Sequence, residues 1–326
     1  GTFYSANAAE LEKSLAVHLD SPLAWDIEAK ALVVPHASHI YSGPIAGAAY
    51  ASVRHLANRI ERVVLLGPAH RVAFKGGAVP SVDAHATPLG NIPVDWQSVA
   101  QALSLPQVHI SDAVFEGEHS LEVHLPFLQR ALGKFALVPL LVGDATPEGV
   151  EQILRKLWGG PETLIVISTD LSHFHDYDTA RKRDANTTRA IETFNVEALN
   201  SDLACGVRPL SGLLRVAQRL DLRPTTLDVR NSGDTRGDKS RVVGYGSYAF
   251  EYSGTARIPE KSRGLLIDIA QLSIRHGLKT GHCPNVEVSA FPHSLRTMRR
   301  TFVSVHTNGA LQGCVGSVGA PNHLVA

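Results

Sequence analysis

The sequence has few of the features that define disulfide-rich, membrane or secreted proteins. Its 326 residues include only 3 cysteines, Cys205, Cys283 and Cys314, which argues against a disulfide framework and fits a reducing compartment. No run approaches the ~18 consecutive apolar residues of a membrane span, and residues 1–5 lack a signal-peptide pattern. We therefore expect a soluble cytoplasmic protein without a membrane partner.

The sequence also lacks an excess of either charge, since 31 basic side chains balance 31 acidic ones. Because no basic segment could hold a phosphate backbone, nucleic acid is not expected as a partner. Apolar residues make up 44% of the chain, which is enough for a buried core. The length exceeds what one core usually supports, so we expect one large domain with an appendage, or two domains.

Short apolar runs that end at polar residues recur through the first 250 residues. They are typical of buried strands and occupy residues 31–34, 63–66, 135–142 and 164–167. Helices are predicted at about 120–132, 147–157, 178–194 and 209–220, and residues 242–252 alternate like a strand. Ser42 is expected to cap a further helix with Pro44 in its first turn. The pattern predicts an α/β fold with a mostly parallel sheet flanked by helices.

A polar stretch from Ser253 to Ser262, which contains Pro259, is typical of a linker. We place a domain boundary near residue 257, so the predicted domains are 1–256 and 257–326. The second part predicts a helix at 265–274 and two strands, 301–306 and 311–315, joined by an Asn-Gly turn at Asn308. It is therefore expected to be a partial α+β domain.

Histidines follow three of the predicted strands, as His36, His70 and His173. In a parallel sheet the carboxyl ends of the strands form the crevice where ligands bind. One such histidine is most often structural, but three in one sheet favour a metal site, because neutral imidazoles bind transition metals. A third ligand is then needed, and the sequence offers four: Asp170, Glu118, Glu122 and Cys205.

Two of these segments allow alternative interpretations. Cys205 precedes a predicted helix, whose start would lower the pKa of the thiol and favour metal binding, but an isolated cysteine is also common as a small buried residue. In the segment 118–124, two histidines lie five residues apart, not four as in the His-Glu-x-x-His zinc motif. His119 and Glu118 then either lie at a capped, exposed helix start or support the cleft as neighbours of a ligand.

Five ordered motifs across residues 1–252 resemble the Memo family, also called AmmeMemoRadiSam system protein B. They are Val34-Pro35-His36-Ala37 with Tyr41-Ser42-Gly43, Leu66-Gly67-Pro68-Ala69-His70, Glu118-His119-Ser120-Leu121-Glu122-Val123-His124-Leu125-Pro126, Ser168-Thr169-Asp170-Leu171-Ser172-His173 and Cys205-Gly206-Val207-Arg208-Pro209. The resemblance implies a fold similar to the class III extradiol dioxygenases. Those enzymes hold iron with two His and a Glu and use another His as acid and base, and in Memo proteins Cys replaces the Glu.

Carried over to this chain, the resemblance implies copper or iron held by His36, His70 and Cys205. It implies His173 as the acid and base, with Asp170, His119 and Glu118 nearby.

The remainder of the chain resembles the start of the AMMECR domain, protein A of the same system. This resemblance lies in Leu265-Leu266 with Ala270, Phe302-Val303-Ser304-Val305 and Leu311-Gln312-Gly313-Cys314-Val315-Gly316-Ser317. Gln312 stands where the family commonly has Arg, and a truncated fusion of proteins B and A is expected.

Two functions are expected from these residues and resemblances. The first is a copper- or iron-dependent redox protein, dioxygenase-like, that acts with a radical-SAM partner. The alternative is a non-catalytic module that binds a (phospho)peptide, small molecule or other partner in the same cleft. A hydrolytic reaction using Asp170 and His173 ranks last, because no nucleophile is identifiable.

Overall fold

A computed structural model describes residues 1–20, 26–253, 260–287, 291, 302–307 and 309–316. The chain divides into two units, Gly1–Tyr252 and Ser253–Ala326. The domain boundary predicted near residue 257 lies outside the described residues, as do Thr301 and the turn residue Asn308.

The first unit contains eleven strands and eight α-helices among the described residues. The strands are β1 (Ala29–Val34), β2 (Arg62–Pro68), β3 (Gly77–Val79), β4 (Ala84–Thr87), β5 (Gly90–Pro93), β6 (Val108–Ile110), β7 (Ala136–Val142), β8 (Thr163–Ser168), β9 (His173–His175), β10 (Leu222–Asn231) and β11 (Val242–Tyr252). The helices are α1 (Ala8–Leu19), α2 (His39–Ala51), α3 (Trp96–Leu103), α4 (Leu125–Leu132), α5 (Pro147–Leu157), α6 (Tyr177–Glu192), α7 (Val207–Arg219) and α8 (Ser232–Thr235).

A central sheet in the order β10-β11-β1-β8-β2-β7-β3-β6 organises this unit. Strands β1, β8, β2 and β7 run parallel, whereas β11 pairs antiparallel with β1 and β10, and β3 pairs antiparallel with β7. The four parallel strands are apolar and buried almost throughout, because helices cover both faces of the sheet. The predicted α/β fold with a mostly parallel sheet and flanking helices is confirmed.

Two predicted helix starts were wrong. Helix α2 begins at His39 after Ser38, three residues before the predicted cap, and Pro44 lies inside the helix. The Ser38 hydroxyl donates to Phe3 O (3.0 Å), a contact from a distant segment that local sequence does not contain. The predicted 120–132 helix is divided: a 3₁₀ turn covers Glu122–His124 and α4 starts at Leu125, with Pro126 in its first turn.

The second unit contains one helix and one hairpin within its described residues. Helix α9 spans Glu260–Thr280, and strands β12 (Phe302–Thr307) and β13 (Ala310–Gly316) pair antiparallel. Across the described part of both units, no helix has the length and apolar character needed to cross a membrane.

Candidate metal centre

Three parallel strands carry polar residues at equivalent positions just beyond their carboxyl ends, at the same edge of the sheet. His36 lies two residues beyond the end of β1, His70 two residues beyond β2, and Asp170 two residues beyond β8. Since β1, β8 and β2 are neighbours in that order, these positions are adjacent in space. Cys205 reaches the same edge from the segment before α7, where its amide donates to Asp170 O (3.3 Å).

The structure brings His36, His70 and Cys205 together, with one ligand atom from each lying within 4.8 Å of the others. Cys205 Sγ and His36 Nε2 lie 3.4 Å apart. Metal bonds of ~2.3 Å to sulfur and ~2.0 Å to nitrogen, at a tetrahedral angle, would separate these two atoms by about 3.5 Å. The spacing and the donor set therefore fit a transition-metal ion.

Hydrogen bonds fix His36 in the tautomer that a metal requires. Its Nδ1 lies 2.5 Å from Ser168 Oγ, and the Ser168 hydroxyl proton is donated to Ser120 O (2.6 Å). Ser168 can therefore only accept from His36, which leaves the lone pair on Nε2, the atom that faces Cys205. Burial and the neighbouring His70 and His119 lower the pKa of His36 well below its usual value, so the ring is neutral.

Glu118 performs the same task for His70. Its carboxylate accepts from His70 Nδ1 (2.9 Å) and from the His70 amide (2.5 Å), so the Nε2 lone pair of His70 is free. The His119 and Ser120 amides also donate to Glu118 (2.8 and 2.9 Å). Burial alone would raise the pKa of Glu118, but the hydrogen bonds from His70 and Ser120 outweigh it and hold that pKa below the usual range.

The environment of Cys205 differs from the expectation drawn from its position before a helix. Burial, and next the negative charge of Asp170, raise the pKa of the thiol to about 12, although the Asp170 amide donates to Sγ (3.3 Å). Desolvation thus outweighs the helix start that predicted a lowered pKa. The protein holds a neutral thiol here until a cation favours the thiolate.

Gly206 lets the Cys205 segment lie against the end of β8. A Cβ on Gly206 would lie 2.4 Å from Ser168 O and 2.6 Å from the Thr169 side chain. We expect Gly206→Ala to push Cys205 away from His36 and to weaken metal binding by about tenfold or more, the scale of losses from disturbed ligand support. Competition with a chromophoric chelator measures the metal affinity of the variant.

Gly149→Ala is the matched control, because a Cβ there meets only an ordinary contact with Thr146 Oγ1 at 3.4 Å. Equal metal affinity in the two alanine variants would contradict the role given to Gly206.

The loop after β8 carries Asp170, close to the three possible ligand residues, and leads to His173. Asp170 is 5% exposed and accepts the His36 amide at Oδ1 (2.8 Å), and burial raises its pKa. His173 begins β9 and pairs with Val243 of β11.

His119 forms an aromatic wall of the cleft. Its ring stacks on Phe3 (centroids 4.3 Å apart, 6° between planes) and on His70 (5.1 Å). With His70 and Glu118 it makes a second group of possible ligand atoms among the described residues. Glu118 already accepts four N–H groups, so its carboxylate serves to orient His70.

Of the other proposed third ligands, Asp170 and Glu122 join neither group of possible ligand atoms within the described part of the chain. Glu122 accepts the Tyr4 hydroxyl (2.9 Å) instead.

Sequence reasoning missed the supporting role of Ser168 and Ser120. Both are fully buried, and together they determine which nitrogen of His36 carries its proton. A serine directly after the apolar run of β8 was the available signal, since a buried hydroxyl must find a partner.

Comparisons with known proteins identify the family of this chain. The family model described as Memo-like protein matches residues 1–249. A MEMO1 family protein of Aquifex aeolicus (strain VF5) is 36% identical over 256 residues, covering 75% of this chain and 94% of that protein. The protein memo-1 homolog of Caenorhabditis elegans is 31% identical over 246 residues, covering 67% and 69%. The family match covers residues 1–249 of the unit Gly1–Tyr252, including His36, His70 and Cys205. The chain therefore belongs to the Memo-like protein family.

Proposed function

We propose that this protein binds one copper or iron ion through His36 Nε2, His70 Nε2 and Cys205 Sγ, and that it uses the ion for dioxygenase-like redox chemistry. The observation that supports this best is the approach of three donor atoms from distant segments to within 4.8 Å of one another. Both imidazoles hold their protons on Nδ1, away from that point. Two imidazoles and a soft thiolate suit copper(I) and iron.

The raised pKa of Cys205 favours a ligand over a nucleophile. A nucleophilic cysteine needs a lowered pKa, so that it is a thiolate near neutral pH. The pKa of about 12 keeps the metal-free thiol protonated and unreactive. A metal ion removes that proton outright, so this residue acts only when the ion is bound.

The neighbouring residues suit a reaction with proton transfer. When bound, the metal would supply electron transfer to and from a substrate in the cleft. The acid and base that we propose is His173, which begins β9 three residues after Asp170, because imidazole is a common general acid and base. The Asp170 carboxylate holds the His36 segment in place by accepting the backbone N–H of His36. Phe3 stacks on His119, and His119 stacks on His70, which makes one side of the centre aromatic.

The remaining expectations are part of the same proposal. A fold related to the class III extradiol dioxygenases, an AMMECR-like second unit and a radical-SAM partner all follow from the sequence resemblances. The hairpin of β12 and β13 contributes the Phe302–Val305 and Leu311–Gly316 segments on which the AMMECR resemblance rests. Coexpression with the radical-SAM protein of the same system, followed by copurification, tests the partner.

The function is tested by anaerobic purification, metal analysis and dioxygen uptake with candidate substrates. We expect His173→Ala to keep the metal and lose turnover, because His173 moves protons and is not a ligand. His175→Ala, two residues along β9, is the control. If the purified protein held no metal and bound a peptide with an affinity that a chelator did not change, the non-catalytic binding module would be favoured instead.

Metal binding should also depend on pH in a defined direction. Since the thiol of Cys205 is protonated below its pKa of about 12, each ion that binds must displace that proton. The apparent affinity should therefore rise by about tenfold per pH unit between roughly pH 6.5 and 8.5. Calorimetric titration in buffers of low and high ionisation enthalpy measures the number of protons that are released when the ion binds. In Cys205→Ser the pH dependence should be much weaker, and an equal slope would contradict thiolate ligation.

A further inference from the structure

A cavity of about 460 Å³ is lined by residues of α1, of the β4–β5 hairpin and of the segment that joins α4 to β7. This volume is typical of pockets that hold a small molecule. One lining residue, Phe135, directly precedes β7, whose first residue Ala136 pairs with Arg62 at the start of β2. The cavity therefore lies at the amino ends of the parallel strands. Because β2 and β7 each contain seven residues, the candidate metal centre lies roughly 20 Å away, at the other edge of the sheet.

The floor of this cavity is apolar. Ile92 and Phe135 are buried members of the core on one face of the sheet, and the partly buried Leu89 packs against that core. Since these side chains are anchored in the core, they offer a fixed apolar surface to a molecule that enters the cavity.

Gln129 fixes the hairpin wall of the cavity to α4. Its Oε1 accepts the Thr87 hydroxyl (2.6 Å), and its Nε2 donates to Gly90 O (3.1 Å). These two bonds hold the tip of the β4–β5 hairpin against the helix. The cavity is therefore formed before a ligand binds, which lowers the cost of ordering the site.

Three charged side chains line the cavity without an ion pair to another described residue. Glu12 comes from α1, Arg130 from the last turn of α4, and Lys134 from the segment after it. All three are exposed, so each can exchange water for a charged group of a ligand. Two cations fit a carboxylate, and one carboxylate fits an ammonium group.

We propose that this cavity binds a free α-amino acid with an apolar side chain, such as phenylalanine or leucine. The carboxylate of the ligand bonds Arg130 and Lys134, its ammonium bonds Glu12, and its side chain packs on the apolar floor. An amino acid carries all three of these features in one small molecule. The inference is independent of the metal centre, because no residue is shared between the two sites.

The test is calorimetric titration of the full chain with L-phenylalanine and with two analogues, each of which lacks one charged group. The analogue 3-phenylpropionate has no ammonium, and phenethylamine has no carboxylate. We expect L-phenylalanine to bind with a Kd between about 0.01 and 1 mM. Both analogues should bind about tenfold more weakly or worse, because each leaves a charged side chain without its partner. Binding should be equal in chelator-treated protein and in His36→Ala/His70→Ala, so the test does not depend on the metal.

Substitutions at the exposed charges separate their roles without disturbing the core. Arg130→Gln should weaken the binding of L-phenylalanine by about 5–10-fold, as expected for an exposed charged hydrogen bond. Glu12→Gln should remove the preference for L-phenylalanine over 3-phenylpropionate. The matched control is Arg155→Gln, because Arg155 is an exposed arginine in the last turn of α5 that does not line the cavity.

Three results would each overturn the inference. They are no saturable binding of L-phenylalanine or L-leucine, binding of 3-phenylpropionate as tight as that of L-phenylalanine, and equal affinities in the Arg130→Gln and Arg155→Gln proteins.

Discussion

Replacing Glu118 with alanine is expected to destabilise the protein by ~3 kcal/mol, because four N–H groups lose their acceptor at once. The Ser120 amide is fully buried and cannot turn to water, whereas the His70 side chain is partly exposed. For a unit of about 250 residues this loss lowers the unfolding midpoint by roughly 6–12 °C. Scanning calorimetry of the metal-free protein measures it without interference from bound ions.

Glu118→Gln separates the stability effect from the metal effect. The amide keeps the shape and one acceptor but presents N–H groups to donors, so we expect a smaller loss of stability and metal affinity reduced by about 10–100-fold. Glu116→Ala is the control, since Glu116 is exposed two residues away. A Glu118→Ala midpoint within 2 °C or so of the Glu116→Ala value would rule out the assigned network.

The double variant His36→Ala/His70→Ala is expected to lose its metal completely. One remaining thiol, with a pKa of about 12, cannot compete with water and buffer for the ion. Metal analysis after gel filtration measures the content. The fold should persist, because His36 and His70 lie in loops, two residues beyond the ends of β1 and β2.

The matched control for this loss is His109→Ala/His276→Ala, which removes two exposed histidines that belong to no group of possible ligand atoms within the described residues. It should keep its metal. Metal retained by the His36→Ala/His70→Ala protein would refute the proposed centre.

The sheet could be predicted because its central strands are nearly continuous apolar runs. Val63 to Leu66 and Leu164 to Ile167 are buried on both faces, which gives a sequence signal that tolerates few alternatives. Helix starts were harder: α2 begins where Ser38 meets Phe3, and α4 begins where a 3₁₀ turn ends. The start of α2 thus depends on a contact between segments that are far apart in the chain, whereas the start of α4 depends on the preceding 3₁₀ turn.

The residues at the cleft could be named from the sequence, but their chemistry could not be derived from it. Histidines after strands indicated one edge of the sheet, whereas the tautomers of His36 and His70 depend on Ser168 and Glu118. The pKa of the Cys205 thiol shows most clearly what the sequence could not predict. Position before a helix predicted a lowered pKa, but desolvation in the folded chain reverses the sign.

X-ray absorption at the metal edge of the anaerobically purified protein tests the central claim most directly. The account predicts one sulfur scatterer at ~2.3 Å and imidazole nitrogens at ~2.0 Å, with the sulfur replaced by a lighter atom in Cys205→Ser. A wild-type spectrum with only nitrogen and oxygen neighbours would contradict it.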